Sequence, residues 1–294
     1  MIIVIHISDM KIGTIIRYIR DAASMSQEEF AGEIGVSRLA VTRWENDASI
    51  PNRIAQIKIC EFARNSGIKV FDHIISDLPC HSEEDNRIVL YHGSRSGIDG
   101  DIMPVSRGRC DFGRGFYMGT QAEQPLTLIC SNEKATMYTV ELDLSGLNVL
   151  RVPVGMDWAL LVAYSRGKMD LNAGSVLYER YERMLKGYDV VVGAIADDRM
   201  FYVLDMFFRG NITDRGLIES LSALNLGEQY VALTEKACRN IRIVGQRMIT
   251  DLERPCIREV SERNREYGIK TADSICREYR REGRYFDEIL RDGV

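Results

Sequence analysis

Two short segments place reactive side chain types beside glycines. Val89-Leu90-Tyr91-His92-Gly93-Ser94-Arg95 reads as a strand delivering a histidine and then a glycine at its end. Asp111-Phe112-Gly113-Arg114-Gly115-Phe116-Tyr117 is a glycine-spaced loop leading into an aromatic pair. Neither is a conventional nucleotide device: no G-x-G-x-x-G opens a helix after a strand, and no Walker loop is present. Taken alone, a histidine at a strand end is more often structural than catalytic, and Tyr117 alone reads as core or interface material. The seven cysteines are dispersed, with no C-x-x-C pair and no histidine at ligand spacing. They read as reduced, buried thiols in a cytoplasm, and no metal site is expected.

Together the two segments resemble the ADP-ribosyltransferase superfamily, in its branch with a His…Tyr…Glu signature. Tyr188–Asp198 and Glu228–Ala237 look like a bacterial branch of it, so the resemblance spans roughly residues 88–245. It implies NAD⁺ as substrate and an acceptor, protein or nucleic acid, for ADP-ribose. His92 would hydrogen-bond ribose hydroxyls, and the Gly93 backbone would pair with the carboxamide, since glycine allows close approach. Tyr117 would stack on the nicotinamide ring, as a cationic ring favours an aromatic face. Ser94, Arg95 and Arg114 would reach the amide or the pyrophosphate.

The sequence departs from that signature at its glutamate, where Gln229 stands. A carboxylate there would stabilise developing positive charge and accept a proton; glutamine can orient a hydroxyl only. Glu228 points to the opposite face of a strand, and Glu235 lies at the strand's end. Three readings stay open: a strand glutamine in an inactive domain, a variant site whose substrate supplies the base, or another carboxylate, Asp197 or Asp198, moving in.

The elements around these residues change character along the chain. From Met10 to about Phe71 the pattern is helical: Ile12, Ile15, Ile16 and Ile19 make one apolar face. Ser26 with Glu29 is a capping box, Gly35 suits a tight exit from a helix, and Ser37 caps a short helix through Glu45. This segment resembles the Xre/Cro repressor family in Ser26–Ala31, Ile34–Ser37, Val41–Glu45 and Pro51. The resemblance implies binding to double-stranded operator DNA. Gln27 and Ser37 would touch phosphates, and Arg38, Leu39, Thr42 and Arg43 would face the major groove. Either arginine could read guanine through two hydrogen bonds. The alternative is a helical cap that only contacts protein.

The expected division is a helix-turn-helix domain at 10–72, a linker at 73–87, an α+β domain at 88–245 and a helical tail at 246–294, interrupted by Pro255 and Gly268. Strands are predicted at 88–92, 116–119, 135–142, 149–152, 188–194 and 229–234, without a regular βαβ rhythm. The net charge of −5 argues against coating nucleic acid along the whole chain, although residues 11–70 carry nine Lys/Arg against seven Asp/Glu. That weak positive balance points to a homodimer for tight DNA binding. No apolar run suits a membrane span, and residues 1–9 read as a short strand or an upstream start. The functional readings are a toxin-like or phage-defence mono-ADP-ribosyltransferase with an antitoxin as partner, a regulator whose inactive second domain senses NAD⁺ or ADP-ribose, and an inert scaffold that dimerises the repressor.

Overall fold

The structure, a computed structural model, describes residues 12–106, 108–170, 173–195, 198–223 and 227–292, with the backbone alone at 198–201. Residues 1–9 and Asp197, and the side chain of Asp198, therefore lie outside what is described.

Five helices open the chain: α1 (Ile12–Ala22), α2 (Gln27–Ile34), α3 (Arg38–Glu45), α4 (Arg53–Asn65) and α5 (Val70–Ser76). Their starts are side-chain capped as the sequence dictates. Ser26 Oγ accepts from Glu29 N while Glu29 Oε2 accepts from Ser26 N, Ser37 Oγ accepts from Ala40 N, and Asn52 Oδ1 accepts from Ala55 N. Gly35 leaves α2 at φ 76°, the left-handed turn that brings α3 against α2. Ile15, Ile16, Ile19, Phe30, Ile34 and Val41 are sealed between the helices.

The stretch expected as a linker carries structure of its own. α5 runs to Ser76, and β1 (Glu83–Glu84) pairs antiparallel with β2 (Arg87–Ser94). Asp85 and Asn86 make the turn at φ 46° and 67°. Two left-handed residues match a two-residue hairpin, so the acidic run that looked like a linker is turn chemistry.

β1 and β2 open a sheet completed by β3 (Phe116–Gly119), β4 (Thr136–Asp143), β5 (Val149–Val152), β6 (Val190–Ala194), β7 (Glu228–Ala232) and β8 (Ile241–Met248). The order is β5-β6-β7-β3-β2-β4-β8, and every pair except β5 with β6 is antiparallel. The α+β reading holds at this level. β2 pairs with β4 along its whole length but with β3 only at Tyr91 opposite Gly119. From His92 onward the two central strands part company.

Helices α6 (Glu123–Ile129), α7 (Met156–Ser165), α8 (Val176–Met184), α9 (Asp198–Phe208), α10 (Asp214–Ala223), α11 (Glu235–Arg239), α12 (Glu253–Glu278) and α13 (Phe286–Asp292) surround the sheet. One face carries Val191, Val231, Trp158, Leu161 and Phe207, closed by Phe286 and Ile289 of α13. The other carries Leu90, Phe116, Met118, Tyr138, Val140 and Tyr230. A third core is shared between the N-terminal helices, α6 and the start of α12, so the two halves of the chain pack on one another.

α12 corrects the expected tail. It is continuous over 26 residues, through both Pro255 and Gly268. Pro255 lies in the first turn, where backbone N–H groups have no intrahelical partner to lose. Gly268 is buried at a position where the helix packs on the domain. No helix among the described residues is long and apolar enough to cross a membrane.

Candidate functional site

His92 occupies the point where β2 and β3 diverge. Its Nδ1 lies 2.7 Å from the Tyr117 carbonyl oxygen. A carbonyl can only accept, so Nδ1 carries the proton and Nε2 holds the lone pair. The ring stacks on Phe116 with centroids 4.1 Å apart. Burial pulls the imidazole pKa below its ordinary value, against the smaller opposing effect of the Tyr117 hydrogen bond. Nε2 has no hydrogen-bond partner among the described residues, which leaves a neutral imidazole presenting one acceptor.

Strand alternation sends Tyr117 and Gln229 to the opposite face. Phe116 shares a side with His92, so the Tyr117 ring projects with Val231 and Gln229. The Tyr117 hydroxyl is fastened in the loop before it, accepting from Phe112 N at 3.0 Å and donating to Gly113 O at 2.8 Å. Burial, and next the Asp111 carboxylate, push this phenol well above its usual range. The structure thus joins His92 to the Tyr117 backbone but does not bring imidazole and phenol together on one face.

Gln229 sits in a row across three strands, with Gly119 opposite on β3 and Gly193 opposite on β6. No side chain flanks it within the row, and Asp111 and Phe112 fold over the space. A Cβ on Gly193 would lie 2.7 Å from Phe112 Cζ, so the glycine is required by that ring. Gln229 Nε2 donates to Asp111 Oδ2 at 3.0 Å and to Ala194 O at 2.9 Å. Both amide hydrogens are therefore used, and Oε1 is the acceptor left over. Arg166 Nε donates to Asp111 Oδ1 at 3.0 Å, closing a buried ion pair behind the amide.

The remaining candidates are dispersed. Ser94 Oγ donates to Gly97 O at 2.8 Å, which closes a turn. Arg95 and Arg114 are exposed. Gly93 is needed by packing: a Cβ there would lie 2.9 Å from Pro125 O and 3.0 Å from Ile129 Cγ2 of α6. Packing against α6 therefore accounts for this glycine without any close approach of a ligand. Asp111 and Arg166 were not singled out from sequence. Asp111 lay inside the quoted loop motif, whereas Arg166 pairs with it across 55 positions and left no local signal.

At the N-terminal module, Arg38, Leu39 and Arg43 are exposed on one side of α3. Thr42 and Gln27, expected to touch DNA, are engaged inside the protein. Thr42 Oγ1 donates to Gln27 Oε1 at 2.8 Å, and Gln27 Nε2 donates to Glu45 Oε2 at 2.8 Å. Glu45 is buried and also receives Arg20 Nε at 2.6 Å. Gln27 thereby positions α3 against α2 with its amide and offers DNA only its place at a helix N-terminus. Ser37 is exposed and caps α3.

Two known families match parts of the chain. Residues 16–63 match the family described as helix-turn-helix, and residues 88–243 match the family described as protein of unknown function, DUF3990. No curated protein and no solved structure matches the chain.

Proposed function

The chain belongs to the DUF3990 family, with a helix-turn-helix module in front, and from that premise we propose a DNA-binding regulator whose sheet domain binds NAD⁺ or its ADP-ribose part. The observation that carries the reading is the imidazole at the parting of β2 and β3. Its Nδ1–H is held by Tyr117 O, so Nε2 is a fixed acceptor for a ribose hydroxyl. Beyond Tyr91 the β3-facing edge of β2 has no strand partner among the described residues, which suits an amide such as the nicotinamide carboxamide. Arg95 and Arg114, both exposed, suit the pyrophosphate.

Binding without turnover is favoured by Gln229. Its amide supplies no negative charge, and the carboxylate bonded to it among the described residues, Asp111, is paired with Arg166. Calorimetric titration of the full chain with NAD⁺ and with ADP-ribose tests this reading. Saturable binding that falls at least tenfold in His92→Ala supports it; no heat from either ligand contradicts it.

ADP-ribosyl transfer is a second reading, and the orientation of Gln229 favours it. Oε1 is left as an acceptor where one carboxylate oxygen would stand, and it would reach a ribose hydroxyl once the Asp111–Phe112 loop that covers it lifts away. The attacking group would then bring its own base. Label transferred from NAD⁺ to protein or nucleic acid, and lost in Gln229→Leu, would establish it. On the DNA side, exposed Arg38, Leu39 and Arg43 support groove contact by α3, and a shift of operator DNA lost in Arg38→Ala with Arg43→Ala tests it.

A further inference from the structure

Cys60 on α4 and Cys256 on α12 lie 196 positions apart and meet where the two halves of the chain pack. Both sulfurs address the same carbonyl: Cys60 Sγ is 3.2 Å from Leu252 O and Cys256 Sγ is 3.9 Å from it. The shared carbonyl sets the two thiols side by side. Each residue is half-buried, so a small reagent has access while bulk solvent is limited. Neither cysteine belongs to the site around His92 or to the α3 surface.

We propose that Cys60 and Cys256 form a redox modification site, a thiol pair that closes to a disulfide linking the helix-turn-helix module to α12. The oxidant is a hydroperoxide. Cys256 is the attacking thiol: the Cys60 thiol is held by its hydrogen bond to Leu252 O, and the neighbouring sulfur pushes Cys60 above its usual range while it pulls Cys256 below its own. Its sulfur attacks the peroxide, the O–O bond breaks, and Cys256 becomes a sulfenic acid as an alcohol, or water, leaves. Cys60 sulfur then attacks the sulfenic sulfur, the S–O bond breaks, and hydroxide leaves with the Cys60 proton as water. Two thiols are oxidised and one hydroperoxide is reduced. Such transient disulfides fit a reducing compartment, where cysteine pairs act as sensors. The link holds α4, with α2 packed on it and α3 on α2, in the orientation seen here.

The experiment uses the full chain, reduced, treated with a small excess of hydrogen peroxide and then alkylated. Peptide mapping is expected to recover Cys60 joined to Cys256, with loss of two hydrogens, reversed by dithiothreitol. Cys60→Ser and Cys256→Ser each abolish the linked peptide, while Cys130→Ser, in the same core, keeps it. Full alkylation of Cys60 and Cys256 after peroxide overturns the proposal. So does a disulfide joining other cysteines, or a linked peptide that persists in Cys256→Ser. The wild-type map is decisive even if a serine variant fails to fold.

Discussion

Gln229 and Asp111 are joined by a 3.0 Å hydrogen bond across 118 positions of chain. The bond fixes which end of the amide faces the carboxylate, since only Nε2 can donate. It also explains why the loop before β3 lies down over β6 and β7 instead of standing open. Gln229→Glu sets a second carboxylate against Asp111 in a buried place. It is expected to destabilise the domain by about 3 kcal/mol, of the order found when buried charge pairs are broken. Asp111→Asn removes one partner of the Asp111–Arg166 ion pair and should cost a similar amount. Combining the two should cost less than the two single changes together, by about 1 kcal/mol or more, measured by urea unfolding.

The packing over Gly193 gives a sharper test of that same loop. A methyl there meets Phe112 at 2.7 Å and Trp158 at 3.2 Å, both fully buried rings. Gly193→Ala should destabilise by about 1–3 kcal/mol and loosen the Tyr117 hydroxyl, seen as faster amide exchange at Phe112.

The pH dependence follows from His92. Its folded pKa lies below the ordinary 6.5, so below that pH the unfolded chain takes up a proton that the folded chain refuses. Stability contributed by this residue is therefore present at neutral pH and lost as pH falls. His92→Gln cannot titrate. The wild-type minus variant difference in unfolding free energy should decline between pH 7 and pH 5, and a flat difference would contradict the burial argument. Ligand held by Nε2 should weaken in the same direction, because protonation removes the acceptor.

On α3 the structure separates residues that face outward from residues that hold the helix. Arg38→Ala and Arg43→Ala should each weaken operator binding roughly tenfold, within the ~1–3 kcal/mol of a guanine contact, with unchanged melting temperature. Thr42→Val breaks the bond to Gln27 and should lower stability by about 1 kcal/mol as well. Gel shift and thermal melting on one set of variants distinguish the two classes.

Much of the fold was written in local pattern. The isoleucine spacing of α1, the Ser26–Glu29 box and Gly35 each act within a few residues, and all three appear as read. β3 and β5 were located to the residue by short apolar or alternating runs. β8 was missed, because Ile241–Met248 is an edge strand with most side chains at least partly exposed and no clean alternation. Pro255 and Gly268 misled for the opposite reason: a proline in a first turn and a glycine under tertiary packing do not break a helix. At the site, His92 and Tyr117 could be singled out by type and order. Their separation onto two faces could not, since it depends on where β2 and β3 cease to pair. The Arg166–Asp111–Gln229 chain was equally hidden, because each member comes from a different part of the sequence.

The imidazole nitrogens of His92 offer the most direct test. Nitrogen-15 spectra of the four histidines report which ring atom carries the proton and whether the other accepts a hydrogen bond. His92 is expected as the Nδ1–H tautomer at neutral pH, with its Nε2 resonance moving on saturation with NAD⁺ or ADP-ribose while the other three histidines stay in place. A proton on Nε2, or an Nε2 resonance indifferent to both ligands at saturating concentration, would contradict this expectation.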